Sequence, residues 1–465
     1  MLQLYDTLSQ AKKSLEPGRE PVKLYTCGPS VYDFAHIGNF RTYVFEDLLK
    51  RTLKYFGFEV VHVMNITDVE DKVIRRCIES KMPLEKLTER YTLAFFEDSD
   101  RLHIQKADHY PRATAYIPQM ITFIEKLIAS EHAYVTEDGD VFFRIRSFEG
   151  YGKLSHFILD ELKEGASERV SRDEYEKENA KDFVLWKSYD AEKDGPIFWS
   201  SPWGKGRPGW HIECSTMATE LLGETIDIHV GGVDNMFPHH ENEIAQSESL
   251  SCKVFARIWM HAEHLIVDGR KMSKSLGNFY TVRDLLLQGF SGEEIRFALL
   301  ANHYRTRCNF TLDTLQAARS SMTRLYDFID RLETYTGEGK VELDVKEAFD
   351  RSLADDLNIN AALAALFDFV REVNILMDQK ALSQKGKRLG LDFLKTADRV
   401  LGFLFTKVLD EVPGSLLDLL RERERARHDK NYPEADRLRD EIMHAGYTIE
   451  DSPTGPKLKK KTGQR

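Results

Sequence analysis

Apolar positions change period along the first part of the chain. Val22-Lys23-Leu24-Tyr25-Thr26-Cys27 alternates and is rich in β-formers, which predicts a strand closed by the Gly28-Pro29 turn. From Thr42 to Phe56 the apolar residues Val44, Phe45, Leu48, Leu49 and Leu53 recur at helical spacing. Phe58 to Ile66 is a near-continuous apolar run of strand length, as expected of a strand buried on both faces. Strand, helix, strand in this order predicts an α/β fold with a doubly wound parallel sheet of the Rossmann type. His36 and Asn39 then fall where the first strand has ended and the helix begins. Free N–H groups and the positive end of a helix dipole favour phosphate at such a place.

Beyond the first sheet elements the pattern becomes mixed. An amphipathic helix (Ile121, Phe123, Ile124, Leu127, Ile128) opens an insertion, and a hairpin of Tyr134–Thr136 with Val141–Phe143 around Asp138-Gly139 follows. A charged, exposed stretch is expected from Asp160 to Asp182. The sheet is expected to resume near Trp210 and again at Thr225–Val230. From Thr311 to Lys407 helical spacing is almost continuous, which predicts a bundle, and Pro413-Gly414 marks a break before a small terminal domain. The expected division is 1–115 (first half of the Rossmann-type domain), 116–204 (insertion), 205–248 (second half), 249–315 (a region carrying the Lys271–Ser275 loop), 316–411 (bundle) and 412–465 (terminal domain).

Composition narrows the setting. The chain has 465 residues, 42% hydrophobic and 30% charged, as in a globular protein with a substantial core. The formal net charge of −11 argues against a protein that coats nucleic acid indiscriminately, although local basic patches would still admit tRNA. No apolar run is long enough to cross a bilayer, and Met1 to Glu20 lacks the pattern of a signal peptide. Five cysteines suit a reducing cytoplasm better than a disulfide scaffold. Cys77, Cys252 and Cys308 lie in no motif and read as buried or partly buried thiols.

Two groups of residues carry candidate chemistry. Lys271-Met272-Ser273-Lys274-Ser275, followed by Gly277-Asn278, is a pliable loop with two mobile cations suited to following phosphate oxygens. In Pro238-His239-His240-Glu241-Asn242-Glu243, His239 and Glu243 stand one helical turn apart on one face. With Cys27 and Cys214 they make a set of two thiolates, an imidazole and a carboxylate, which suits zinc.

Several long motifs occur in fixed order. They are Cys27-Gly28-Pro29-Ser30-Val31-Tyr32-Asp33 with His36-Ile37-Gly38-Asn39, Asn65-Ile66-Thr67-Asp68, Arg207 to Cys214, Phe237 to Glu243, and Lys271 to Ser275. Together they resemble the cysteinyl-tRNA synthetase family of class I aminoacyl-tRNA synthetases, from Tyr25 to about Phe279. The likeness continues more weakly through Asp355-Asp356-Leu357-Asn358 and Ala435 to Asp440. The resemblance implies activation of L-cysteine by ATP, with Mg2+, to cysteinyl-adenylate and pyrophosphate, then transfer to the 3′ end of tRNA(Cys). It implies a monomer with one Zn2+ per subunit held by Cys27, Cys214, His239 and Glu243, with His240 the rival ligand.

By the same resemblance, ATP is held by His36, Gly38, Asn39 and Lys271 to Ser275. The catalytic residues among these are His36, Asn39, Lys271 and Lys274. Thr67, Trp210, His229 and Asp234 would line the cysteine pocket. A shape-based pocket separates cysteine from serine by only about a hundredfold, whereas zinc prefers thiolate to hydroxyl, so no editing site is expected. Two departures from the family pattern stand out. Asn39 replaces the usual second histidine, and Val230 stands where glycine is common and is expected to crowd the loop. Anticodon reading is assigned to the terminal domain, with Asp436, Arg437 and Arg439 as candidates. The basic tail Lys457 to Arg465 would touch phosphates. Arg421, Arg423, Arg425 and Arg427 read as a salt-bridged, solvated helix face. The rival enzyme is a cysteine ligase on the same core that acts on an amino sugar. A zinc hydrolase would not need the two ATP motifs, and neither would a non-catalytic tRNA-binding module.

Overall fold

A computed structural model describes residues 1–156, 182–273, 277–343, 347–405, 414–452 and 455–460. Its centre is a four-stranded parallel sheet in the order Ala256–Ala262, Ile226–Gly232, Val22–Thr26, Val60–Met64. Leu24, Tyr25, Ile228 and Val230 are fully buried in the two middle strands, so both sheet faces are covered. The Ile37–Tyr55 helix joins Val22–Thr26 to Val60–Met64, and the Glu241–Ser251 helix joins Ile226–Gly232 to Ala256–Ala262. The two connections leave the middle pair of strands in opposite directions. Their carboxyl ends, Cys27 and Gly232, therefore open a crevice where a doubly wound sheet binds ligands.

The helix expected over 42–56 begins earlier, at Ile37, and the apolar run 58–66 contributes the strand Val60–Met64. The insertion forms a five-stranded antiparallel sheet in the order Ala133–Val135, Val141–Phe143, Phe183–Ser188, Gly204–Pro208, Trp199–Ser201. Trp210 does not resume the parallel sheet. It opens the Trp210–Leu222 helix, which buries Ile212, Met217 and Leu222. The polar spacing of His211, Glu213 and Cys214 hid that helical face. Val230 lies inside a strand with its side chain in the core, so it crowds no loop. The charged run Asp160 to Asp182 lies outside the described residues except for Asp182.

Four helices follow, Leu312–Thr334, Glu347–Ala354, Ile359–Asp378 and Gln384–Leu401. The helices Gly414–His428 and Tyr432–His444 then pack with the hairpin Tyr447–Ser452/Gly455–Lys460 around Leu416, Leu420, Ile442 and Tyr447. Among the described residues no helix is long and apolar enough to cross a membrane.

Candidate active site

The crevice widens into a cavity of about 1120 Å³. Its wall includes Cys27, His36, Gly38, Asn39, Thr67, Trp210, Cys214, Asp234, His239, Lys271 and Met272. Residues from opposite ends of the catalytic region thus meet in one chamber. Lys274 and Ser275 lie outside the described residues.

At one end the Ile37–Tyr55 helix starts on the cavity. His36 caps it: His36 Nδ1 accepts from the Asn39 N–H (3.1 Å), and Asn39 Oδ1 accepts from the His36 N–H (3.1 Å). This reciprocal box gives Asn39 a task that a short amide oxygen performs well. The loop of Lys271 is drawn over the same place. Asn278 Oδ1 accepts from the Ser273 N–H (2.8 Å), and Asn278 Nδ2 donates to Lys271 O (3.3 Å). The His36 ring meets Phe279 edge-on at 5.4 Å, and the Ile37 N–H donates to Tyr280 O (3.0 Å). Gly38 is required by this closeness, because a Cβ there would stand 2.9 Å from the His36 ring and 3.2 Å from Met272.

At the other end lie the thiols. The ligand atoms of Cys27, Cys214, His239 and Glu243 all lie within 4.8 Å of one another, and all four residues are buried. An overlapping set replaces Cys214 and His239 by His229 and His240. The first set fits a soft divalent metal better for two reasons. It contains both thiols. Cys27, Cys214 and His239 face the cavity, whereas the wall formed by the described residues leaves out His229 and His240. His240 sits with Nε2 at 3.2 Å from Cys27 Sγ and Nδ1 at 2.8 Å from His261 Nε2. His239 points Nε2 at Glu243 Oε1 (3.0 Å), while its Nδ1 is held by His211 Nδ1 (2.9 Å). A metal-binding imidazole is normally steadied in this way through its second nitrogen.

The charges of the four groups agree with a cation site. Burial would push the Glu243 carboxyl up, but His229 and His239 outweigh it and bring it to about 2. Burial would lower His239, but Glu243 and Cys214 raise it to about 10. Burial raises the Cys214 thiol, and Cys27 and His239 bring it down to about 6. The hydrogen bond that Cys27 donates to the Cys214 sulfur, and then burial, hold Cys27 up as the protonated partner. One divalent cation in place of the His239 and Cys27 protons would leave the total charge unchanged.

His229 stands behind this set rather than at the cavity wall. Its Nε2 lies 2.9 Å from Glu243 Oε2, and its ring stacks on Trp259 at 4.4 Å. Trp210 stacks on His239 at 4.1 Å. Thr67 is buried and accepts from Asn65 Nδ2 (3.1 Å). Asp234 follows the strand Ile226–Gly232 and is exposed to the chamber. Sequence reasoning missed His211 and His261, which hold His239 and His240 through their second nitrogens. Only His211, inside the Trp210 to Cys214 motif, carried a signal there. Cys77 and Cys308 are buried as expected, but Cys252 is exposed, because it caps the Glu241–Ser251 helix with φ of 54°.

In the terminal domain, Arg437 is paired on its own helix with Glu434 (2.8 Å) and Glu441 (2.9 Å). Arg421 pairs with Asp418 on an exposed face, whereas Arg423, paired with Glu424, keeps only 11% of its side chain exposed and so departs from the solvated face expected of it. Lys457, Lys459 and Lys460 fall on the last strand, and 461–465 lie outside the described residues.

Residues 14–320 match the family model described as tRNA synthetases class I (C) catalytic domain. Residues 348–406 match the DALR domain, and residues 409–457 match the cysteinyl-tRNA ligase anticodon binding domain. The chain is similar to a cysteine–tRNA ligase of Chlamydia pneumoniae, 56% identical over 98% of both chains. It is similarly close to one of Protochlamydia amoebophila, 54% identical over 99% of this chain and 98% of the relative. The fold is that of a Mycobacterium tuberculosis methionyl-tRNA synthetase in complex with methionyl-adenylate. The TM-score is 0.59 at 16% identity, covering 86% of this chain and 94% of the other.

Proposed function

From its membership of the cysteine–tRNA ligase family, we propose how the chain's residues divide the work of joining cysteine to tRNA. The observation that carries the reading is the single chamber with a soft four-ligand cluster at one end and a capped helix N-terminus at the other.

Cys27, Cys214, His239 and Glu243 hold a zinc ion. Bound there, zinc supplies a soft Lewis acid that favours the substrate thiolate over the hydroxyl of serine. His229 orients Glu243, and His211 orients His239. Trp210 and Thr67 form the walls of the cysteine pocket, and Asp234 takes the substrate ammonium. The cysteine carboxylate then attacks the α-phosphorus of ATP, which enters with Mg2+, and pyrophosphate leaves. His36 and the positive end of the Ile37–Tyr55 helix dipole stabilise charge on the phosphates. Lys271 and Lys274 follow the pyrophosphate as it departs. Residues 1–248 serve activation, residues 249–315 carry the Lys271–Ser275 loop and contact the tRNA stem, residues 316–411 form the helical bundle, and residues 412–465 recognise the anticodon of tRNA(Cys). The chain works as a monomer in the cytoplasm.

Cysteine-dependent ATP–pyrophosphate exchange tests this, with serine as competitor, bound zinc assayed throughout, and Cys214→Ala as control. The expected result is exchange with cysteine alone, falling by at least about a thousandfold in the variant together with its zinc. Exchange that survives without zinc, or that serine supports equally, would sink the proposal.

A further inference from the structure

Two walls of the proposed cysteine pocket come from different parts of the fold. Thr67 lies between the strand Val60–Met64 and the Asp71–Ser80 helix. Trp210 follows the strand Gly204–Pro208 of the insertion sheet. The backbones of the walls are each held locally. The Thr67 N–H donates to Pro29 O (3.0 Å), and the Gly209 N–H donates to Leu185 O (2.8 Å). Those bonds fix each wall to its own sheet. They do not set the gap between them.

A charged cluster spans that gap just behind the pocket. Arg207 and Lys187 stand directly opposite each other on neighbouring antiparallel strands. Two cations in that relation repel each other. Asp71, from the parallel-sheet side, takes both: its Oδ2 meets Lys187 Nζ at 2.6 Å, and its Oδ1 meets Arg207 Nη2. Asp194, 2% exposed, holds Arg207 Nε from the other side at 3.0 Å. Arg207 is itself only 7% exposed while the Asp71 side chain is 34% exposed, so the Arg207–Asp194 end of the fork is the part least screened by solvent. Asp71 is four residues from Thr67, and Arg207 is three from Trp210. Neither ion-pair residue lines the cavity as the described residues form it.

We propose that Asp71 and Arg207, with Lys187, form a clamp that fixes the distance between the Thr67 and Trp210 walls and thereby sets affinity for cysteine. They are positioning residues that touch neither substrate nor metal. The inference rests on the pocket reading above. A clamp of this kind acts at the cysteine end of the chamber, because the ATP end is built by His36, Asn39 and Lys271 on other elements. Small displacements of a binding wall are costly when the ligand is as small as cysteine.

The test is ATP–pyrophosphate exchange by the full chain carrying Arg207→Met, Asp71→Asn or both, with zinc content measured. Each single variant is expected to raise the KM for cysteine about tenfold while leaving the KM for ATP within about twofold and zinc unchanged. The double variant should fall short of the product of the two singles, because both break the Asp71–Arg207 contact, while Asp71→Asn alone also weakens the Lys187 pair and Arg207→Met alone also frees Asp194. Lys187→Met, which removes the half-buried arm, should shift the same KM by about two- to threefold and guards against misfolding of the Arg207 variant. An unchanged KM for cysteine, a parallel rise in both KM values, or multiplying effects in the double variant would overturn the clamp. Thr67→Ala and Trp210→Ala separate the two levels. If they leave the KM for cysteine unchanged, the pocket reading falls and the clamp with it. If they raise it while the clamp variants do not, the clamp alone falls.

Discussion

At the scale of single residues, the position where the family pattern has a second histidine is the most instructive. Asn39 was legible as a departure, but its task was not, because a capping box depends on the β-region backbone of His36, which no pattern of residues shows. Asn39→Ala removes the amide oxygen that satisfies the His36 N–H. It should cost about 1 kcal/mol of stability and raise the KM for ATP, with the KM for cysteine unmoved. Denaturant unfolding and exchange kinetics measure the two parts separately. A buried histidine makes the second prediction. Burial pulls His62 down to about 3, so the folded chain leaves it neutral across the range where an unfolded chain protonates it near 6.5. The unfolded state then binds more protons, and stability falls as pH drops below that value. His62→Gln should reduce the difference in stability between pH 7 and pH 5 by about 2 kcal/mol, read from denaturant midpoints at the two pH values.

At the scale of elements, the parallel strands and the Ile37–Tyr55 helix were readable because periods of two and 3.6 residues are strong signals over such lengths. The Trp210–Leu222 helix was not, since the residues it turns toward the site are polar and break the apolar period. The same burial of polar groups concealed His261, which serves the cluster from behind a strand that reads simply as hydrophobic. Gly38 shows how tightly the elements meet. A methyl group there would press on both the His36 ring and Met272. Gly38→Ala should therefore raise the KM for ATP about tenfold while zinc and the KM for cysteine are retained. An equal loss at both ends of the chamber would refute that separation of tasks.

At the scale of the whole molecule, buried charge joins the catalytic region to the bundle. Arg296 is fully buried and pairs with Asp47 on the Ile37–Tyr55 helix while donating to Leu401 O (2.7 Å) and Leu102 O (3.0 Å). Arg296→Met would strand the Asp47 carboxylate and should destabilise the fold by about 3–5 kcal/mol, seen as a lowered denaturant midpoint. The small terminal core of Leu416, Leu420, Ile442 and Tyr447 is separate. A chain shortened by residues 409–465 should keep cysteine-dependent exchange and lose charging of tRNA about a hundredfold or more. Strand order has one further outcome. The ligands meet in the finished fold, Cys27 from a strand end and Cys214 from a helix, yet Cys27 emerges from the ribosome about 187 residues before Cys214, the next of them, a wait of roughly 10–40 s at ordinary synthesis rates. Throughout that interval the first thiol has no partner to claim it, so the nascent chain, rather than the finished enzyme, is the form most open to oxidants.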